Sequence, residues 1–156
     1  MTLYLVRHAH AGRRAEWTGA DAERPLSEKG RHQTDAITRH LDGAAVDRVL
    51  SSAAVRCRQT VEGVAAARGL EVETHPSLLE GATARSTTTL LWQLASEGTD
   101  AALSSHGDVI PSALTALRAD GVDVDDREGL PKGTLYRLDV DAEGRITTAT
   151  FVDPRP

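Results

Sequence analysis

The stretch "LYLVRHAHAG", residues 3–12, decides how the rest of the chain is read. Thr2 to Val6 is a β-favouring run without clean polar alternation, which suits a strand covered on both faces. It ends abruptly in Arg7, His8 and His10. A strand buried on both sides belongs to an α/β sheet, where ligands bind beyond the carboxyl ends of the strands. The charge at this strand's end therefore marks a candidate site.

Outward from there the pattern repeats. Residues 10–26 are polar and irregular, a long loop for a compact domain. Ser27 is placed to cap a helix running to about Leu41, with Gly43 closing it. Arg48 to Ser52 reads as a second strand and Arg56 to Arg68 as a helix ended by Gly69. Leu70 to Thr74 alternates like a third strand, and Arg85 to Glu97 is helical up to Gly98. Ala101 to Ser105 is a fourth strand, and Asp108 is expected to cap a helix from Val109 to Ala119, ended by Gly121. Thr134 to Val140 and Ile146 to Val152 form two more strands about a turn at Asp141, Glu143 and Gly144. Strands alternating with helices predict an α/β fold, a three-layer α/β/α sandwich with a mainly parallel central sheet, as a single domain over residues 1–156.

Composition narrows the partners. With 18 basic and 23 acidic side chains the net charge is −5, which argues against general nucleic-acid binding. Aromatics make up only 3%, so the core must come from Leu, Val, Ala and Ile. The single cysteine, Cys57, can form no internal disulfide. No apolar run is long enough to cross a membrane, and Arg7 interrupts the only candidate for a leader, so a cytoplasmic location is expected.

In this arrangement successive strand ends deliver Arg7 and His8, then Ser51 to Arg56, then Glu80, then His106 to one edge. Two arginines and two histidines in a cleft favour an anion, and guanidinium matches phosphate oxygens in pairs. Clustered cations keep a neighbouring histidine neutral, with a lone pair free to attack phosphorus. The remaining cations would hold the charge on the equatorial oxygens, with no cofactor and no metal required. Glu80 is the candidate to protonate the leaving group, because a neighbouring phosphate's charge favours the protonated carboxyl. Arg13, Arg14 and Arg24 in the first loop, and Lys132 before the fifth predicted strand, are candidates to grip the substrate.

These residues carry a resemblance. "LVRHAHAG" resembles the first signature of the histidine phosphatase superfamily, the phosphoglycerate mutase-like proteins. "SSAAVRCRQT" is similar to its second, Ser-Pro-x-x-Arg-x-x-Gln-Thr, "SSHGDVI" to its third, and "ERPLSEKGRHQ" to its Pro-Leu-Ser/Thr-x-x-Gly helix start. The resemblance implies His8 as the phosphorylated nucleophile, with Arg7, Arg56 and His106 completing the phosphate pocket, and aligns Glu80 loosely with the family's acid. The short chain is most similar to the SixA-type phosphohistidine phosphatases. "AAVRCRQT", "HGDVIP" and "PKGTLYRL" also resemble the phosphatase-like domain that follows a Nudix domain in some bacterial nucleotide-pool enzymes. Ala53 stands where the family usually has proline and Ala9 where glycine is commoner, and His10 matches no family feature.

The same residues allow other readings. His8 and His10 form a His-x-His pair of the kind that opens some metal-dependent hydrolases, but those are large barrels that 156 residues cannot build. A phosphate-recognising module without turnover would often have lost one of the four pocket residues. Cys57, beside Arg56, would have a lowered pKa if exposed, although packing inside a helix is its expected role. His32, His40 and His75 read as ordinary surface residues. The expected reaction is metal-independent removal of a phosphoryl group by water from a phosphorylated protein or a small phosphorylated substrate, with protein phosphohistidine favoured over nucleotides and other small phosphate esters. An open pocket, inferred from short loops, suits the former.

Overall fold

The computed structural model describes residues 1–155. The strands are β1 (Thr2–Arg7), β2 (Arg48–Ser51), β3 (Val72–Thr74), β4 (Ala101–Ser105), β5 (Asp123–Val124), β6 (Leu135–Val140) and β7 (Ile146–Val152). The helices are α1 (Glu28–His40), α2 (Val55–Ala66), α3 (Ala84–Glu97) and α4 (Val109–Ala119), with short 3-10 turns at Arg14–Glu16, Asp21–Glu23 and Pro76–Leu78.

All seven strands join one sheet in the order β3-β2-β4-β1-β6-β7-β5. β1 to β4 pair in parallel, as does β5 with β7, while β6 runs antiparallel to both of its neighbours. Successive residues of β1 face opposite ways. Leu3 and Leu5 join a core with Leu90, Leu91 and Leu94 of α3 and Ile110, Leu114 and Leu117 of α4. Tyr4 and Val6 join a second core with Ile37 of α1 and Val61 and Val64 of α2. The three layers follow from this two-sided burial, and the unbroken apolar run of β1 is its signature in sequence.

Right-handed crossovers explain which helix lies where. The chain steps from β1 to β2 to β3 in one direction, so α1 and α2 share a face. It then returns to β4 and continues the opposite way, so α3 and α4 cover the other. The connections leaving β1 and β4, which are neighbours, therefore part to opposite faces and open a crevice between them at the carboxyl edge.

The caps fall largely where the sequence places them. The Ser27 hydroxyl accepts from the Gly30 N–H at 3.1 Å, and Gly43 turns the chain out of α1 with φ +79°. Gly30 has a second duty, since a Cβ there would lie 2.0 Å from the His10 carbonyl oxygen, so the helix start rests directly on the first loop. Asp108 departs from expectation. It stands at the N-cap of α4, but its side chain makes no cap and instead accepts from the Gly81 N–H at 2.9 Å. The third strand is shorter than predicted, and β5 was not predicted: two residues show no alternation.

Candidate active site

The crevice between β1 and β4 is a cleft of about 290 Å³ lined by Arg7, His8, Gly12, Arg14, Arg24, Arg56, Glu80, His106, Gly107, Asp108 and Lys132. Every residue expected to be catalytic, and Arg14, Arg24 and Lys132 with them, borders this one space. The hydrogen-bond ladder continues past the strand ends and levels them. His8 N–H donates to Ser105 O and Ser52 N–H to Ser104 O, both at 3.0 Å, and Arg7 N–H donates to Thr134 O at 3.0 Å. Lys132 arrives because β6 is antiparallel, so its leading end lies beside the trailing end of β1.

His8 is 6% exposed and its Nδ1 lies 2.8 Å from the Ala9 carbonyl. A carbonyl can only accept, so the neutral ring carries its proton on Nδ1 and its lone pair on Nε2. Burial pushes His8 down to about 3; the Ala9 hydrogen bond opposes this, while Arg56, His106 and Arg7 deepen it. The His106 ring stands 5.5 Å away, inclined at 68°, with Nε2 2.8 Å from the Ser52 hydroxyl. Burial and then Arg56 push His106 to about 4. Both rings are neutral at pH 7.

The two floor arginines are each held by a main-chain carbonyl. Arg7 donates through Nη1 to the Leu130 carbonyl and lies against Gly107, where a Cβ would come within 2.6 Å of its Cζ. Only glycine permits that approach. Arg56, in the first turn of α2, is 2% exposed and donates from Nη1 to the Asp21 carbonyl at 2.9 Å. Among the described residues three buried side-chain polar atoms lack a partner, and two are Nε of Arg7 and Nε of Arg56. Buried donors without acceptors call for an explanation, and an oxyanion in the cleft supplies one.

The rim is a network of ion pairs. Glu80 bridges Arg14 at 2.9 Å and Arg56 at 3.5 Å. Asp21 takes Arg14 and Arg56 at 3.1 Å and Arg24 at 3.2 Å. Burial alone would raise the Asp21 pKa, but the Arg24 hydrogen bond and the charges of Arg56 and Arg14 hold it below the usual range. Lys132 is lowered by burial and by the nearby Arg7, Arg24, Arg56 and Lys29.

Several placements differ from expectation. Arg24, read as a loop charge, is buried, and its Nη1 is spent on the Ala11 carbonyl at 2.7 Å. It binds the first loop together as well as bordering the cleft. Cys57 is fully buried below His106, and burial pushes its thiol up to about 12, so the lowered pKa expected for an exposed thiol does not apply. His10 turns away from His8 and meets the Ser27 hydroxyl at 2.6 Å, which gives it a structural place at the start of α1. Among the described residues no three His, Cys, Asp or Glu side chains converge as a metal site. Asp21 was missed because nothing in an irregular loop marks it. Asp108, two residues after His106, has the identity and position of a helix cap, which hides its place at the cleft.

The chain is 28% identical over 98% of its length to an 8-oxo-(d)GTP phosphatase of Mycolicibacterium smegmatis, of which it covers 48%. It matches a probable phosphoglycerate mutase GpmB of Photorhabdus laumondii at 29% identity over 51% of its length, covering 38% of that protein. The chain thus spans half or less of the length of these curated relatives. A putative phosphohistidine phosphatase SixA from Agrobacterium tumefaciens superposes with a TM-score of 0.71 at 26% identity, covering 88% of this chain and 90% of that one. A SixA protein histidine phosphatase complexed with tungstate shares the fold, with a TM-score of 0.73 at 22% identity over 99% and 97% of the two chains. Residues 3–86, which carry Arg7, His8, Arg56 and Glu80, match the histidine phosphatase superfamily (branch 1), and the chain belongs to that superfamily.

Proposed function

We propose that the chain is a metal-independent phosphatase that carries the phosphoryl group on His8, and that its substrate is a protein-borne phosphohistidine. The observation that carries this reading is His8 itself. It is a neutral ring with Nδ1 tied to Ala9, so Nε2 is left as the nucleophile in a cleft it shares with the half-buried Arg7 and the buried Arg56.

In the first step the Nε2 lone pair attacks phosphorus and the bond to the leaving nitrogen or oxygen breaks. Arg7, Arg56 and His106 take the equatorial oxygens; Glu80, a carboxylate paired with Arg14 and Arg56 before substrate binds, takes up a proton with the substrate and gives it to the leaving atom. In the second step water attacks the phosphohistidine, returns a proton to Glu80 and releases inorganic phosphate, and Nε2 recovers its lone pair. Lys132 and Arg14 border the same cleft and draw in the anionic substrate, while Arg24 acts through the loop it holds.

The protein-borne substrate is favoured by the open cleft and by the exposure of Glu80, whose side chain is 47% accessible. A phosphohistidine leaves as a readily protonated nitrogen and needs only a modest acid. A nucleotide substrate is the second reading, favoured by the match to the 8-oxo-(d)GTP phosphatase along 98% of this chain.

The test is turnover in the presence of chelator, wild type against His8→Ala, on an aryl phosphate, a phosphohistidine protein and a guanine nucleotide. Chelator-resistant turnover that is lost in the variant, with the phosphohistidine protein the best substrate by kcat/KM, is expected. Turnover abolished by chelator would overturn the mechanism, and a preference for the nucleotide would overturn the substrate.

A further inference from the structure

The described chain exposes three large apolar side chains, Met1, Trp17 and Leu79, at 36%, 38% and 41%. Scattered single residues of this kind are ordinary. Trp17 and Leu79 each stand close in sequence to one partner of a single ion pair. Trp17 follows Arg14 by three residues and Leu79 immediately precedes Glu80, and the Arg14–Glu80 pair joins these two loops across the edge of the cleft at 2.9 Å.

Trp17 is held ready. Its Nε1 donates to the Ala20 carbonyl at 2.8 Å, and its ring lies over Gly19, where a Cβ would come within 3.1 Å. The indole forms one wall of a groove with Arg13, Glu16, Pro25 and Leu26, and this groove shares Gly12 and Arg24 with the catalytic cleft. Gly12, with φ +68°, carries no side chain at this shared border, and nothing lies within 4 Å of where its Cβ would be. A fixed, exposed tryptophan beside arginine is the composition of a binding hot spot, and prior fixing lowers the entropy lost on docking.

We propose that Trp17 and Leu79 form a docking surface for the polypeptide that bears the phosphohistidine. The inference rests on the phosphatase reading above and adds how the protein substrate is held. A polypeptide is favoured over a nucleobase because apolar contacts lie on both loops that the Arg14–Glu80 pair joins. One base stacks on one ring, whereas chain segments on either side of a phosphohistidine reach both. The Trp17 groove and the cleft that holds His8 share Gly12 and Arg24 as a common border, so a segment in the groove lies next to the cleft.

The test compares Trp17→Ala, Leu79→Ala and the double variant with the wild type. The substrates are a small protein phosphorylated on one surface histidine by phosphoramidate, free phosphohistidine and a guanine nucleotide. On the phosphoprotein the double variant should lose about tenfold or more in kcat/KM, through KM. Free phosphohistidine, too small to span the rim, should be turned over within about twofold of wild type, which also reports an intact fold. A wild type that hydrolyses the phosphoprotein no better than the double variant overturns the docking surface alone. Equal losses on the phosphoprotein and on free phosphohistidine do the same. A Trp17→Ala loss confined to the nucleotide would make the ring a base platform and overturn the polypeptide. A wild type that hydrolyses neither phosphohistidine compound overturns the substrate reading and the docking surface with it.

Discussion

The floor and the rim of the cleft are built on different principles. The floor is Arg7, His8, Arg56 and His106, all set at strand ends or in a first helical turn, with His8, Arg56 and His106 buried. Each is held from behind by main chain or by a buried hydroxyl: Leu130, Ala9, Asp21 and Ser52. The rim is Arg14, Trp17, Leu79 and Glu80, on or beside 3-10 turns and exposed, and its two loops are joined by the one Arg14–Glu80 pair, which solvent screens. Fixed dipoles and charges act where charge develops in a transition state, so the floor suits the phosphoryl group that every substrate shares. The rim suits the part that differs between substrates.

That contrast can be broken by substitutions on either side. The largest effect is expected at the floor from Arg56→Ala, which removes a buried cation from the transferring oxygens and leaves Asp21 and Glu80 without it. A loss in kcat of about 10²–10³ on any substrate is expected, with little recovery in Arg56→Lys, because a point charge cannot replace the planar fork. Retained activity in Arg56→Ala would remove the distinction between floor and rim.

Gly107→Ala comes next. The added Cβ would overlap the Arg7 guanidinium, and the side chain must shift. Misplacement of about 1 Å costs up to about 10² in rate. The expected signature is a fall in kcat for every substrate with the folded structure kept. An unchanged kcat would show that the position of Arg7 is not critical.

At the rim the effect should depend on the leaving group. Glu80→Gln is expected to slow an alkyl phosphate by about 10² and an aryl phosphate by less than about threefold, since a weakly basic phenolate leaves without a proton. Equal losses on the two esters would move Glu80 from proton transfer to positioning of Arg56.

The smallest signal is a titration. His8 at about 3 and His106 at about 4 lie below the ordinary 6.5, so the unfolded chain binds protons that the folded rings refuse. Their contribution to stability is therefore whole above pH 6.5 and is lost as the pH falls through that value toward 4 and 3. NMR titration should find neither imidazole charging above about pH 5. A midpoint near 6.5 for either would mean that the floor is wetter than its burial implies.

The same contrast explains what could be read from the sequence. The floor residues sit at fixed offsets from elements with strong periodic signals: His8 ends the β1 run, Arg56 opens α2 and His106 follows β4. The sheet then needs only right-handed connections to bring them together. The rim, and the loop residues that support it, lack such an anchor. Asp21 binds three arginines from an irregular loop, and no spacing announces which loop carboxylate will do so. Asp108 carries an ordinary cap residue's identity at a cap position, yet its carboxylate goes to Gly81, a contact 27 residues away in sequence that no local pattern records. Arg24 looks like a surface charge until the loop closes over it.

The central claim is that the phosphoryl group passes to His8. The direct measurement is to mix the protein with an aryl phosphate, quench in alkali during turnover, digest, and locate the phosphoryl group by mass spectrometry. The account predicts an acid-labile, alkali-stable phosphoryl group on the His8 imidazole, absent from His8→Ala. A phosphoryl group on another residue, or turnover retained by His8→Ala with none on the protein, would contradict it.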